Sequence, residues 1–121
     1  MAEHNELGQL GELLAADYLR RKGYVIAHSN WRSGHKELDI IARLDDLMVF
    51  VEVKTRRDDV YGQPEDAVNR RKIRRIIDSA DAYVRRFNID GPIRFDIITV
   101  IKNSSEVRIE HIEDAFQATM F

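Results

Sequence analysis

The stretch Leu47–Thr55, LMVFVEVKT, decides the fold. On an extended chain Met48 and Phe50 leave one side, and Val49, Val51 and Val53 leave the other. Both sides are apolar, so the segment must be covered twice and is predicted to be the central strand of a sheet. Its far end turns polar. Glu52 and Lys54 stand at i and i+2, so they share a side where core gives way to solvent.

Working outward, Asp45-Asp46 is a short turn, and Glu37–Arg43 before it is a second apolar strand, so the two are predicted to form a hairpin. Tyr24–His28 with Trp31 suggests a strand before that. Residues 5–22 read as an amphipathic helix with Asn5 as N-cap and Gly23 as the stop after Arg20, Arg21 and Lys22. Leu7, Leu10, Gly11, Leu14 and Tyr18 share one of its faces.

Downstream, residues 69–87 place Ile73, Ile76, Ile77, Ala80, Tyr83, Val84 and Phe87 on one helical face, with arginines opposite. Ile93–Lys102 is a further strand, and Val107–Ile112 another after an Asn103-Ser104-Ser105 turn. Glu113–Phe121 has no clear pattern. The order α-β-β-β-α-β-β, with a helix between the third and fourth strands, permits a parallel pair through a right-handed crossover. The expected class is α/β: a mixed sheet of about five strands flanked by helices.

A chain of 121 residues fits one domain, spanning 1–121. It has no cysteine, which removes disulfides, thiolate zinc sites, iron–sulfur clusters and cysteine nucleophiles. Nineteen Lys+Arg against 21 Asp+Glu leave a net charge of −2, so the surface is not wholly basic. No apolar run approaches the roughly 20 residues of a membrane helix. The N-terminal sequence shows no secretory pattern, so the expectation is a cytoplasmic protein without a membrane partner.

Polar residues inside apolar strands are the informative ones. Asp39 interrupts LDII, and Glu52 and Lys54 interrupt VFVEVKT. The hairpin brings Asp39 and Glu52 within reach across the sheet. Adjacent carboxylates resist joint ionisation unless a cation neutralises them. Hard oxygen ligands suit Mg²⁺ or Mn²⁺. A nearby ammonium could orient an attacking water or stabilise phosphate charge, so the set suggests metal-assisted phosphodiester hydrolysis. The alternative is a buried ion pair of Lys54 with Glu52 or Asp39. Glu12 lies at the edge of the first helix's buried face. Gly8, Gly11 and Ala15 would let that helix approach closely enough for Glu12 to join the cluster; otherwise it is a solvent-facing glutamate.

The segments GQLGELLAADYLRRKGY, NWR followed by ELDIIA, VFVEVKTR, YGQPEDAVNRRK and RFDIITV together cover nearly the whole chain. In that order they resemble the YraN family of bacterial endonuclease-like proteins, within the PD-(D/E)XK nuclease superfamily. The resemblance implies a restriction-endonuclease-like core of the archaeal Holliday-junction-resolvase type. It implies that Asp39 is the metal-binding aspartate, Glu52 the second acidic ligand, Lys54 the lysine of the ExK motif and Glu12 the first-helix glutamate. Glu37 matches a family glutamate that either joins the site or pairs with Lys36 or Arg43. Lys36 itself stands where many members have glycine, which alters the approach loop. By analogy with resolvases, a homodimer is also implied, with Phe116, Met120 and Phe121 as apolar contacts.

The basic charge is local. Arg70, Arg71, Arg74 and Arg75 lead the outer face of the second helix, and Lys54, Arg56 and Arg57 would extend it to the site. That surface is a candidate for holding a nucleic-acid backbone by charge rather than by base sequence, the alternative being an ordinary solvated face. Trp31 and Tyr61 could stack on an unpaired base, or pack as core or rim. Gln63 and Asp96 are candidates for supporting contacts at the site, although Asp96 also suits a salt bridge to an arginine. Gly62 and Pro64 would shape the turn into the basic helix. The four histidines show no metal-ligand spacing. The expected function is metal-dependent cleavage of DNA rather than RNA, on branched or damaged substrates. The competing expectations are a non-catalytic nucleic-acid-binding module and a fold used only for protein assembly.

Overall fold

A computed structural model describes residues 2–57 and 68–118, residues 2–5 by backbone alone. The elements are α1 (Ala2–Arg21), β1 (Val25–Ser33), β2 (Lys36–Leu44), β3 (Leu47–Arg57), α2 (Arg70–Phe87), β4 (Ile93–Lys102) and β5 (Val107–Phe116). They form one five-stranded sheet in the order β1-β2-β3-β4-β5. β3 is central, pairing antiparallel with β2 and parallel with β4, as the apolar character of both its faces requires.

The two faces of β3 seed two cores. Val49 and Val51 pack with Ile40, Ala42, Ile98 and Val100 beneath Ala15, Ala16 and Leu19 of α1. Met48 and Phe50 pack with Leu38, Ile41 and Phe95 beneath Ile76, Ala80 and Tyr83 of α2. Burial of these side chains, worth about 1.5–3 kcal/mol each, holds one helix on each face. Among the described residues, no helix is long and apolar enough to cross a membrane.

Several boundaries differ from expectation. α1 begins at Ala2, so Asn5 lies inside the helix and is not its N-cap. The stop is as expected: Gly23 has φ 96°, and the Gly23 and Tyr24 N–H groups donate to the Arg20 and Leu19 carbonyls. α2 is capped by Asn69, whose side chain accepts the Lys72 N–H. β5 runs to Phe116, beyond the expected Ile112, because Phe116 stacks on Phe95 in the core. Phe116 is only 3% exposed, so it is not an exposed contact for a second copy. Trp31 is likewise buried edge-on against Tyr83 rather than offered to a base. Tyr61, Gly62, Gln63, Pro64, Met120 and Phe121 lie outside the described residues.

One close approach positions the site. At Gly11, α1 crosses β3 so closely that a Cβ would overlap the Thr55 side chain. Gly8 meets nothing comparable, so Gly11 alone of that pair requires the missing side chain. The next residue along the helix is Glu12.

Candidate functional site

The β2–β3 ladder ends at Ile40 opposite Val51. One residue further, the same register sets Asp39 opposite Glu52. The Val53 N–H, the next donor on that edge of β3, is taken by Asp39 Oδ2 at 2.9 Å instead of by a backbone carbonyl. Asp39 thus closes the end of the ladder with its side chain, and its carboxylate is turned toward Glu52.

These two acids line an open cleft of about 670 Å³ together with Glu12, Glu37, His35, Lys36, Lys72, Arg75, Asp78 and Ser79. Four of the expected residues, Glu12, Glu37, Asp39 and Glu52, are therefore brought to one opening by α1, β2 and β3. Burial raises the Asp39 carboxyl first, and the neighbouring charges of Glu52 and Glu12 add to it. The Val53 N–H opposes them, and the result is a carboxyl pushed up to about 8. Glu12 is raised as well, by burial and by Glu52 and Glu37, with the Asn30 amide and Arg32 working against the shift. Its Oε1 is buried without a hydrogen-bond partner. Glu12 is therefore not a solvent-facing glutamate.

The cation at Glu52 is Lys72, with Nζ 2.7 Å from Oε2. An ion pair does exist here, but it is buried only at its Glu52 end, and its lysine comes from α2. Lys54 does not line the cleft. Lys54 is half-buried two residues further along the same side of β3, while α2 lies across that side and brings Lys72 to Glu52. Glu37 meets Arg32 at 3.6 Å rather than Lys36 or Arg43.

Asp96 belongs elsewhere. It is fully buried and takes Arg94 through both oxygens at 2.8 Å, His111 Nε2–H at 2.7 Å and the Asp114 N–H at 3.0 Å. Burial pushes this carboxyl up, but the bonds from His111, Arg94 and the Asp114 N–H outweigh it and hold it below the ordinary value. The network ties β4 to β5, and through His111 to Tyr18 of α1. It contributes no lining to the cleft, so Asp96 is a structural ion pair and not a support of the site.

On the basic side, Arg70, Arg71, Arg74 and Arg75 are exposed on α2, and Arg75 reaches the cleft. Arg57 is exposed and Arg56 half-buried at the end of β3.

Sequence reasoning missed Lys72 and Asn30. Lys72 was visible in principle: it precedes Ile76, Ser79 and Tyr83 on the buried stripe of α2, and a charge on such a stripe implies a partner beneath. Asn30 carries a φ of 51° within β1, a backbone state that asparagine tolerates better than most residues. No periodicity announces it.

Among the described residues, no three acidic or imidazole groups stand as a ready-made metal cage. The cleft offers acids around an opening, with one buried oxygen unsatisfied. Comparison with known proteins gives a family without an activity. The uncharacterised protein family UPF0102 matches residues 11–100. A UPF0102 protein of Bacteroides thetaiotaomicron is 54% identical over 121 residues, covering 100% of both chains. One of Phocaeicola vulgatus is 56% identical over 116 residues, 96% of each. One of Flavobacterium psychrophilum is 47% identical over 116 residues, 96% of this chain and 98% of that one.

Proposed function

The chain belongs to the uncharacterised protein family UPF0102, and we propose that its acidic cleft makes it a divalent-cation-dependent nuclease hydrolysing DNA phosphodiester bonds. One observation carries the proposal. Glu12 Oε1 is buried without a partner in a cleft that also holds Asp39 and Glu52. A buried carboxylate oxygen left unsatisfied is costly, and a cation is the ligand that would relieve it.

The chemistry of the donors suits Mg²⁺ or Mn²⁺, since carboxylate oxygens and no thiol face the cleft, although the three carboxylates would have to draw together on the ion. Asp39, Glu52 and Glu12 would hold the ion. A divalent cation there would supply Lewis-acid polarisation of the phosphate and a more acidic water. The chain's own groups supply the rest. Asp39 is oriented by the Val53 N–H, and Glu52 is held by Lys72. Lys54 does not line the cleft itself; two residues beyond Glu52 on the same side of β3, it is the candidate to reach the attacking water from the rim. His35, Lys36 and Arg75 place basic groups beside the acids, which suits a phosphate over the cleft. Arg56, Arg57, Arg70, Arg71 and Arg74 would hold the backbone on either side.

The test is a cleavage assay in Mg²⁺ and Mn²⁺ on single-stranded, duplex, flap and four-way-junction DNA and on RNA. Asp39→Asn and Lys54→Ala are run alongside. Metal-dependent cutting lost in both variants, with DNA binding retained in Asp39→Asn, is the expected result. Cutting by Asp39→Asn at the parental rate would remove the assignment of the site.

One observation favours a second reading, a non-catalytic nucleic-acid-binding module. Glu52 already has a cation in Lys72, and a binding module needs no other. It predicts binding that weakens with salt and ignores divalent ions.

A further inference from the structure

Lys72 is placed to do more than satisfy Glu52. The two ends of this ion pair are unequal. The Glu52 side chain is 8% exposed, whereas that of Lys72 is 45% exposed. Glu52 is fixed in the sheet beside Asp39. Lys72 stands in the first turn of α2 with its backbone N–H locked by Asn69 and its four-carbon stem partly in solvent. The acid is immobile and the ammonium has somewhere else to go.

The pairing also has an electrostatic reason. The charges of Glu52 and Glu12 raise the cost of ionising Asp39, and those of Glu52 and Glu37 the cost of ionising Glu12. Burial would lower the Lys72 ammonium, but the bond to Glu52 and the fields of Glu52, Asp39 and Glu37 overcome it and raise it. The geometry sets the Lys72 ammonium directly against this acidic cluster, with Nζ 2.7 Å from Glu52 Oε2. It occupies Glu52 Oε2, one of the oxygens that a divalent cation would need. The cation and the ammonium compete for that oxygen. The displaced ammonium would remain on the cleft wall beside Arg75, which also lines it.

We propose that Lys72 is an exchangeable counter-cation and phosphate-positioning residue: it holds Glu52 while no divalent cation is bound, and transfers to a substrate phosphate when the cation takes Glu52. This rests on the metal-dependent reading above. It adds a residue outside the D…ExK set and a coupling. The empty cleft presents a neutralised ion pair, and the loaded cleft presents a mobile ammonium, so affinity for phosphate rises only when the ion is present.

The test reads the amine directly in the unsubstituted 121-residue chain. Brief acetylation with acetic anhydride, followed by mass spectrometry, gives the relative reactivity of each lysine. Three states are compared: protein in EDTA, protein in Ca²⁺ or Mg²⁺, and protein in Ca²⁺ with duplex DNA. Cation binding is followed separately by thermal shift. Lys72 should be protected in EDTA, several-fold more reactive with the cation, and protected again with DNA. Lys22, just beyond the end of α1 and outside the surface proposed to hold DNA, serves as the internal reference. Asp39→Asn should abolish the cation-induced rise. Cation binding with no rise at Lys72 would overturn the exchange and leave the metal site standing. A rise that DNA does not reverse would overturn the phosphate role. No cation binding at all would overturn both this proposal and the metal-dependent reading.

Discussion

Replacing Asp39 by asparagine should stabilise the protein when no divalent cation is present. The Asp39 carboxyl has an ordinary value of 3.8 and is pushed up to about 8 in the fold. The folded state therefore holds a proton that the unfolded state has already released, throughout that interval. Stability falls with rising pH wherever the native state binds more protons, so this group costs stability increasingly from about pH 4 to pH 8. At 1.36 kcal/mol per pH unit the ceiling is roughly 5–6 kcal/mol. Lys72 lies close by and the cleft is open to water, so a gain of about 2–3 kcal/mol at pH 8 is the realistic expectation. Asparagine keeps an oxygen for the Val53 N–H and removes the charge. In a domain of this size the gain corresponds to a rise in Tm of about 10 °C. The assay is guanidinium and thermal unfolding of both proteins in EDTA at pH 5 and pH 8. The gain should be large at pH 8 and shrink at pH 5, where Asp39 is already protonated. Added Mg²⁺ or Mn²⁺ should then stabilise the wild type and not the variant; ten times Kd of ion is worth about 1.4 kcal/mol. A variant less stable than wild type at pH 8 in EDTA, or a gain equal at both pH values, would refute the electrostatic account of the cleft.

Three other outcomes are expected. Asp96→Asn should cost about 3–5 kcal/mol at neutral pH, because Arg94 and His111 lose a buried charged partner. This carboxyl is held below its ordinary 3.8, so its contribution is present above that pH and disappears as pH falls through the depressed value. Denaturant melts at pH 7 and below pH 3 should show the cost and then its loss. Gly11→Ala should destabilise by about 1–3 kcal/mol through overlap with Thr55, with partial recovery in a Gly11→Ala, Thr55→Ala double variant measured by the same melts. Arg71→Ala and Arg74→Ala should each weaken DNA binding across sequences and reduce the salt slope by about one, read by fluorescence anisotropy over a salt series. An unchanged slope would leave that face as ordinary solvated surface.

Most of the fold was legible in the chain. The two-sided apolar pattern of Leu47–Thr55 identified the central strand, and the apolar stripe of residues 69–87 identified α2, because burial on each element repeats with its own period. What failed were ends. Asn5 was a sound cap by type, yet α1 starts earlier. Phe116 reads as tail until Phe95 is seen beneath it. Of the site, Asp39, Glu52 and Glu12 were legible because charge on an apolar face is expensive and so carries meaning. Lys72 and Asn30 were not, because their importance lies in what they face.

The sequence by itself determined the elements, their order, the centrality of β3 and the polar residues that break its pattern. These follow from local periodicity and from the cost of burying charge, which need no knowledge of distant neighbours. Only the tertiary structure decided the partners. The crossover that lays α2 over one side of β3 set Lys72 against Glu52. The end of the β2–β3 ladder turned Asp39 to the Val53 N–H. The pairing of β4 with β5 drew Asp96 into a separate network with Arg94 and His111. Each of these depends on register and helix placement, which bring together residues far apart in the chain and leave no mark on the spacing of either one.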